Sequence, residues 1–160
     1  IYYNDVTKLI DKRLIDASTE QYQNLFDVQS YGTEASLAVQ IFQHTNLEAN
    51  YCYLAYSSKS DYKLSDSPPN SFDFRWSHIL PYGVHLAHSV SWRGKRDSQD
   101  DMGNFHSLRA YHTQDLELAR QWKHLELKLK LENLMDENYQ SEYGYPAPGR
   151  DFSLSITMQI

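Results

Sequence analysis

The sequence has few of the residues that mark several common protein classes. Its 160 residues, about one domain's length, include a single cysteine, Cys52, so neither an intrachain disulfide nor a cysteine-based zinc cluster can form. No apolar stretch approaches the roughly 18 residues of a membrane-spanning helix, which excludes a helical membrane protein. The 15 basic residues form no run and are outnumbered by 21 acidic ones, which argues against nucleic acid as a partner.

Catalytic motifs are also missing. The chain has no Gly-x-Ser-x-Gly elbow, no His-Glu-x-x-His helix and no phosphate-cradling glycine loop. We therefore predict no catalytic residue, no metal site, no cofactor and no enzymatic activity. Asp97, Asp100, Asp101 and Asn104 lie close together around Gly103, a set that suits Ca²⁺, but without EF-hand spacing a solvated polar loop is the favoured interpretation.

The chain is instead rich in tyrosine, with 13 copies, and in alternating apolar and polar residues. Every second residue from Phe152 to Ile160 is apolar, and residues 125–131 alternate leucine with charged residues. A period of two places such side chains on one face of a β-strand. The pattern predicts an all-β chain with eight strands, at residues 2–10, 22–42, 47–56, 72–76, 84–92, 108–118, 125–131 and 152–160.

The connections between these strands favour a particular all-β architecture. Tight turns are predicted at residues 43–46, 81–83 and 121–123, and long polar loops at residues 11–21, 59–70, 96–106 and 135–149. In an antiparallel meander, tight turns and long loops then collect at opposite rims, as in outer-membrane β-barrels, whose aromatic girdles suit the tyrosine content. A soluble β-sandwich also shows alternation, but the loop asymmetry weighs against this alternative.

Two motifs near the end of the chain carry a family resemblance. Residues 131–139, Leu-Glu-Asn-Leu-Met-Asp-Glu-Asn-Tyr, are followed at 143–150 by Tyr-Gly-Tyr-Pro-Ala-Pro-Gly-Arg and a final alternating strand. This ending resembles that of TonB-dependent outer-membrane receptors of the siderophore and cobalamin type, although Met135 and Ile160 stand where that family usually has Phe. The resemblance implies a mainly structural role for the matching residues, which are Asn133, Leu134, Asp136, Tyr139, Gly144, Tyr145, Pro146, Pro148, Gly149 and Arg150.

The resemblance also implies a fold and a function. Residues 1–160 would be the C-terminal portion of a transmembrane barrel of about 22 strands, with the plug domain outside this chain. The protein would import a scarce large nutrient, a ferric siderophore or a cobalamin-like compound, across the outer membrane of a Gram-negative bacterium. Its implied partners are the upstream strands and plug, the TonB complex, outer-membrane lipid and, as a further candidate, a surface lipoprotein.

Three alternatives remain open at this stage. A passive or structural barrel would lack the plug, a carbohydrate or peptide importer would belong to the same superfamily, and a small barrel would close with eight strands by pairing the first strand with the last. We expect no such closure, because the resemblance favours the large barrel.

The barrel interpretation makes predictions about individual side chains. Those expected on the lipid-facing surface are Phe152, Leu154, Ile156, Met158, Leu125, Leu127 and Leu129. Those expected to face the lumen are Lys128, Lys130, Ser153 and Ser155. The histidines are expected at the rims or in the lumen. The candidate ligand-binding residues are aromatic side chains of the long loops, Tyr62, Phe105, Tyr143 and Tyr145, whose competing interpretation is loop or girdle packing.

Overall fold

The computed structural model describes residues 1–16, 19–58 and 64–158, and these are organised almost entirely as β-structure. No helix in these ranges is long and apolar enough to cross a membrane. The strands, in chain order, are β1 (Tyr2–Asp16), β2 (Thr19–Ile41), β3 (Thr45–Ser58), β4 (Asn70–Leu80), β5 (Val84–Arg93), β6 (Arg96–Gln99), β7 (Phe105–Leu108), β8 (Tyr111–Trp122), β9 (Leu125–Glu132), β10 (Gln140–Glu142), β11 (Tyr145–Pro146) and β12 (Asp151–Met158).

Eight of these strands form one antiparallel sheet, in the order β1-β2-β3-β4-β5-β8-β9-β12. Each strand of the sheet pairs with its neighbours in the meander, while β6-β7 and β10-β11 form two small separate hairpins. Within the described residues no ladder joins β1 to β12, so the sheet has two open edges. The predicted eight-strand meander is confirmed, and so is the expectation that its first and last strands do not pair.

The sheet has one apolar face and one polar face. Cross-strand register places Ile156 opposite Leu127 and Leu154 opposite Leu129 on the apolar face. Leu154 and Ile156 keep 61% and 62% of their surface exposed, and the predicted lipid-facing residues of β9 and β12 are all exposed. No second sheet covers this face in the described part of the chain, so the sandwich alternative is wrong and the predicted orientation of these residues is confirmed.

The polar face is held together by ion pairs between strands. Glu117 on β8 pairs with Arg75 on β4 at 3.8 Å and with Lys128 on β9 at 3.3 Å. Near the start of β4, Asp73 accepts a hydrogen bond from Arg93 on β5 at 3.0 Å. Charged and polar interiors are typical of wide barrels. The register confirms the residues that were predicted for this face, Lys128, Lys130, Ser153 and Ser155.

Several polar side chains nevertheless lie on the apolar face, in pairs. Thr45 Oγ1 and His78 Nδ1 are 2.8 Å apart, and His88 Nε2 lies 3.1 Å from Gln114 Oε1. His112 shares this face, opposite Trp92. The expectation that the histidines lie only at the rims or in the lumen is therefore wrong. Cross-strand pairing explains how His78 and His88 are tolerated, because each polar group has a hydrogen-bond partner.

Close packing fixes one glycine near the start of the sheet. Gly32 on β2 is buried, and a Cβ there would meet the Tyr2 hydroxyl at 2.5 Å and also the Tyr53 carbonyl oxygen. Only a residue without a side chain lets the Tyr2 ring pack across β2 at this point.

Four predicted segments are wrong. Residues 11–16 and 19–21, predicted as part of a long loop, belong to β1 and β2, and Asp16 pairs with Thr19. The strand predicted at residues 108–118 instead runs over Tyr111–Trp122, and Leu108 belongs to β7. The loops at residues 96–106 and 135–149 contain hairpins of their own. Alternation is a good guide where one face is apolar, but backbone pairing continues into segments without that pattern.

Candidate functional site

The strands are joined by short turns at one of their ends and by longer connections at the other. The end with the three short turns, at residues 42–44, 81–83 and 123–124, is called the turn rim. The opposite end, called the loop rim, has the β1-β2 hairpin and the connections β3-β4, β5-β8 and β9-β12. At the loop rim the β6-β7 hairpin contacts the β9-β12 connection, and this pair of loops carries most of the candidate functional residues.

Asn133 organises the β9-β12 connection. It is buried, with a left-handed φ of 49° that asparagine tolerates better than most residues. Its Nδ2 donates to the carbonyl oxygens of Glu137 at 2.9 Å and Pro148 at 3.4 Å, and its Oδ1 accepts from the Glu137 backbone N–H. Its own backbone N–H donates to Asp115 on β8. The side chain of Asn133 therefore ties both ends of the connection together, and its backbone N–H attaches them to the sheet.

Asp136 directs the chain into β12. Its Oδ1 accepts a hydrogen bond from the Arg150 backbone N–H at 2.8 Å. A Cβ at position 149 would lie 2.8 Å from the same oxygen, so a side chain there would displace the Asp136 carboxylate from this contact. The contact uses the backbone of Arg150 and not its guanidinium. Together with the Asn133 contacts, this geometry supports a loop-shaping role for the motif.

The two loops are joined by a set of contacts that we call the loop clasp, formed by Arg96 and Ser98 of β6 with Gln140, Ser141 and Tyr143. Arg96 is 5% exposed and donates through Nε and Nη2 to the Ser141 carbonyl oxygen, at 3.2 and 2.8 Å, and through Nη2 to that of Gln140. Ser98 is fully buried, and its Oγ accepts the Tyr143 backbone N–H at 2.8 Å. The clasp couples two loops that are separate in sequence.

Two aromatic stacks reinforce the clasp. His106 lies parallel to Tyr143, with ring centroids 3.6 Å apart, and Tyr111 stacks on Tyr139 at 4.0 Å. Burial is the main cause that raises the pKa of the Tyr139 hydroxyl, and neighbouring Tyr111 adds to it. The stacks hold the aromatic side chains of both loops in fixed positions.

Asp100 organises the turn between β6 and β7. Its Oδ1 accepts the backbone N–H groups of Met102 at 2.9 Å and Asn104 at 2.8 Å, and His106 Nε2 lies 2.8 Å from its Oδ2. The His106 hydrogen bond is the main cause that holds the pKa of Asp100 well below its usual range. In residues 1–16, 19–58 and 64–158 no group of three or more His, Cys, Asp or Glu side chains is placed to hold a metal ion. The acceptor positions of Asp100 are used within the turn itself.

A cleft of about 420 Å³ lies between the two loops. Arg109, Tyr139 and Tyr143 are among its lining residues. The Arg109 guanidinium is 68% exposed and pairs with Glu137 at 2.9 Å. An exposed cation beside aromatic side chains suits a ligand with anionic and flat apolar parts.

The candidate ligand residues take different positions around this cleft. Tyr143 lines it, and Phe105 lies beside the stacked His106 at the end of the β6-β7 hairpin, opposite Gln99. Tyr145 is 62% exposed on the following β11 and is not part of the cleft lining. Tyr62 lies outside the described residues. Of the three described candidates, only Tyr143 is therefore placed directly in the cleft.

Sequence reasoning missed four residues of this site, Arg96, Ser98, His106 and Arg109. Arg96 and Ser98 contact residues 44 or 45 positions further along the chain, and no local motif or periodicity predicts such a contact. A lone arginine between polar residues gives no sign that it is buried.

Comparison with known proteins identifies the architecture. The copper transporter OprC superposes with a TM-score of 0.79 at 19% identity, over 98% of this chain and 27% of OprC. The Pseudomonas aeruginosa receptor FpvA bound to pyoverdine gives 0.72 at 16% identity, over 99% and 26%. The ferric-catecholate import receptor Fiu from E. coli gives 0.73 at 18% identity, over 98% and 24%. The sheet is thus an arc of a large antiparallel β-barrel, and the chain spans about a quarter of the length of these solved proteins.

The sequence itself identifies the family. The family model for TonB dependent receptor-like β-barrels matches residues 1–134. The chain belongs to this family, as its C-terminal motifs predicted. Its apolar face is accordingly the lipid-facing surface of the barrel wall, and its polar face lines the lumen.

Proposed function

We propose that this chain is the C-terminal part of the barrel of an outer-membrane receptor that imports a scarce large nutrient, energised through TonB. The observation that carries the proposal is the open-edged arc of sheet with an ion-paired polar face, the wall expected of a wide lumen. The upstream strands and the plug would be supplied by the rest of the receptor, and the TonB complex would act through that plug. The family is one of transport receptors and not of enzymes.

A ferric siderophore is the cargo that we favour, with a cobalamin-like compound as the second choice. FpvA is described with bound pyoverdine, Fiu as an importer of ferric catecholates and OprC as a copper transporter. Metal complexes thus recur among the similar structures. The cleft at the loop rim adds chemistry of its own, because Arg109 and Tyr143 provide a cation and an aromatic side chain.

Uptake by whole cells tests this proposal. Cells expressing the full-length receptor under iron limitation should accumulate radiolabelled iron from at least one ferric siderophore of a panel, and deleting either the receptor or TonB should abolish this uptake. Uptake that persists without TonB would favour a passive barrel. Uptake of labelled oligosaccharides or peptides in place of iron would favour the carbohydrate or peptide importers of the superfamily, for which a surface lipoprotein would be a natural partner.

The aromatic residues of the loop rim can be tested separately. Replacing Tyr143 and Tyr145 together by Ala should weaken binding of the imported ligand by about tenfold, mainly through the loss of Tyr143, which is the one of the two that lines the cleft. Tyr82→Ala is the matched control, since Tyr82 is 86% exposed at the turn rim. A double variant that inserts normally and binds its ligand unchanged would limit both tyrosines to loop packing. Phe105→Ala and Tyr62→Ala extend the test to the remaining candidates.

A further inference from the structure

One arginine is isolated on the lipid-facing surface of the described strands β3 to β12. Arg120 lies opposite Val84 on β5 and Leu127 on β9, on the apolar face. Across strands β3, β4, β5, β8, β9 and β12, the described residues place no other Asp, Glu, Lys or Arg on this face. A charged side chain on the lipid face destabilises a barrel unless it reaches the polar interface, so the position calls for a physical explanation.

Arg120 has no anionic partner among the described residues. Its guanidinium carbon lies 4.6 Å from the centroid of the Trp122 ring, and its Nε is shielded from solvent without a hydrogen-bond acceptor. Among the residues that the structure describes, no carboxylate lies within ion-pair distance of it. Arg75 and Arg93 on the polar face, in contrast, each pair with a carboxylate. The stack on Trp122 holds the guanidinium in place while leaving donors free.

The position of Arg120 along β8 indicates which layer of the membrane it faces. It lies two residues before the end of β8 at Trp122, or about 7 Å along the strand. Lys123 and His124 follow in the turn, and Leu125 begins β9. A tryptophan and an arginine at the end of a barrel strand lie at the level of the lipid headgroups, where arginine extends its charge to the polar layer.

We propose that Arg120 and Trp122 bind the phosphate group of a phospholipid in the leaflet at the turn rim. A guanidinium donates two parallel hydrogen bonds to phosphate oxygens, and Lys123 adds positive charge nearby. Leu118, Leu125 and Leu127 surround Arg120 on the same face and provide an apolar surface for the acyl chains. The inference rests on the outer-membrane placement proposed above but not on the identity of the cargo.

Lipid titration followed by native mass spectrometry tests this site. The full-length receptor, purified in an uncharged detergent, would be titrated with short-chain phosphatidylglycerol. Arg120→Gln should weaken lipid binding by about tenfold, the loss expected for one charge-assisted contact. Trp122→Leu should weaken it in the same direction, and Arg120→Lys should retain part of it. Lys95→Gln, which removes an exposed cation in the β5-β8 connection at the loop rim, should leave lipid binding unchanged.

Two results of this titration would overturn the proposal. Equal lipid binding by wild type, Arg120→Gln and Arg120→Lys would overturn the proposal. Displacement of the lipid by an equal concentration of inorganic phosphate would also overturn it, because the site would then recognise free phosphate. If Arg120→Gln does not fold, the Arg120→Lys and Trp122→Leu titrations decide the question. Membrane fractionation and the uptake assay are read independently, so a failure of the lipid site is distinguishable from a failure of the proposed transport function.

Discussion

At the scale of single residues, the family motif acts through hydrogen bonds from its side chains to backbone groups. Asn133 satisfies three backbone groups of its own connection, and Asp136 satisfies one more at the entry to β12. The residues of the motif could be predicted from sequence because this ending resembles that of TonB-dependent receptors. Their contacts could not, since nothing in the motif shows that Asn133 also meets Asp115 on the neighbouring strand.

The Asn133 contacts lead to a stability prediction. Asn133→Ala should lower the free energy of unfolding of the full-length receptor by about 2 kcal/mol, because it leaves buried backbone groups without partners. Asn138→Ala, an exposed position in the same connection, should change it by no more than about 0.5 kcal/mol. Urea unfolding in micelles, followed by tryptophan fluorescence, measures both. Equal effects of the two substitutions would contradict the central role of Asn133.

The Asp100 turn leads to a prediction about pH. A carboxyl group whose pKa is lower in the folded state stabilises that state above its unfolded pKa, near 4, and this contribution is lost as the pH falls through the folded value. Amide exchange protection at Met102 and Asn104, corrected for intrinsic rates, should therefore persist at pH 4 and decline only in stronger acid. Asp100→Ala should remove it at every pH. Protection that titrates near pH 4 in the wild type would contradict the lowered pKa.

At the scale of elements, sequence periodicity predicted the sheet well and the loops poorly. Alternation identified β9 and β12 because their lipid-facing residues are uniformly apolar. It missed residues 11–16 of β1 and 19–21 of β2, where the backbone ladder continues although the sequence does not alternate. It also missed the β6-β7 hairpin, whose four-residue strands are too short to show a period. Strand pairing depends on backbone hydrogen bonds, which almost any sequence of side chains can form, so the pattern of side-chain polarity does not predict them.

The loop clasp predicts that two of these elements move as one. Arg96→Gln removes a buried guanidinium that binds the carbonyl oxygens of Gln140 and Ser141, so amide exchange should increase by at least about tenfold in both residues 96–108 and residues 139–143. Lys95→Gln serves as control, because the neighbouring Lys95 side chain is exposed. Hydrogen exchange with mass spectrometry on the intact receptor resolves the two peptides. A change confined to the β6-β7 hairpin would show that the loops are independent.

At the scale of the whole molecule, the open edges decide the folding behaviour. The edge strands β1 and β12 have free backbone donors and acceptors that have no partner in the described residues, and each such group costs several kcal/mol in lipid. Residues 1–160 alone should therefore fail to give a cooperative unfolding transition in micelles, whereas the full-length receptor should give one. A monomeric, cooperatively folded product in which β1 pairs with β12, as detected by a disulfide between cysteines introduced into the two strands, would contradict this expectation.

The length of the first hairpin determines how far this part of the barrel wall extends beyond the membrane. Strand β2 has 23 residues, which span about 75 Å, while the apolar band of an outer-membrane barrel is only about 25 Å tall. Even with a tilt of about 40°, the β1-β2 hairpin rises some 30 Å above the hydrocarbon layer. In the proposed orientation, macromolecules outside the cell would reach this hairpin before any other described part of the wall, which makes it the natural target for recognition from outside.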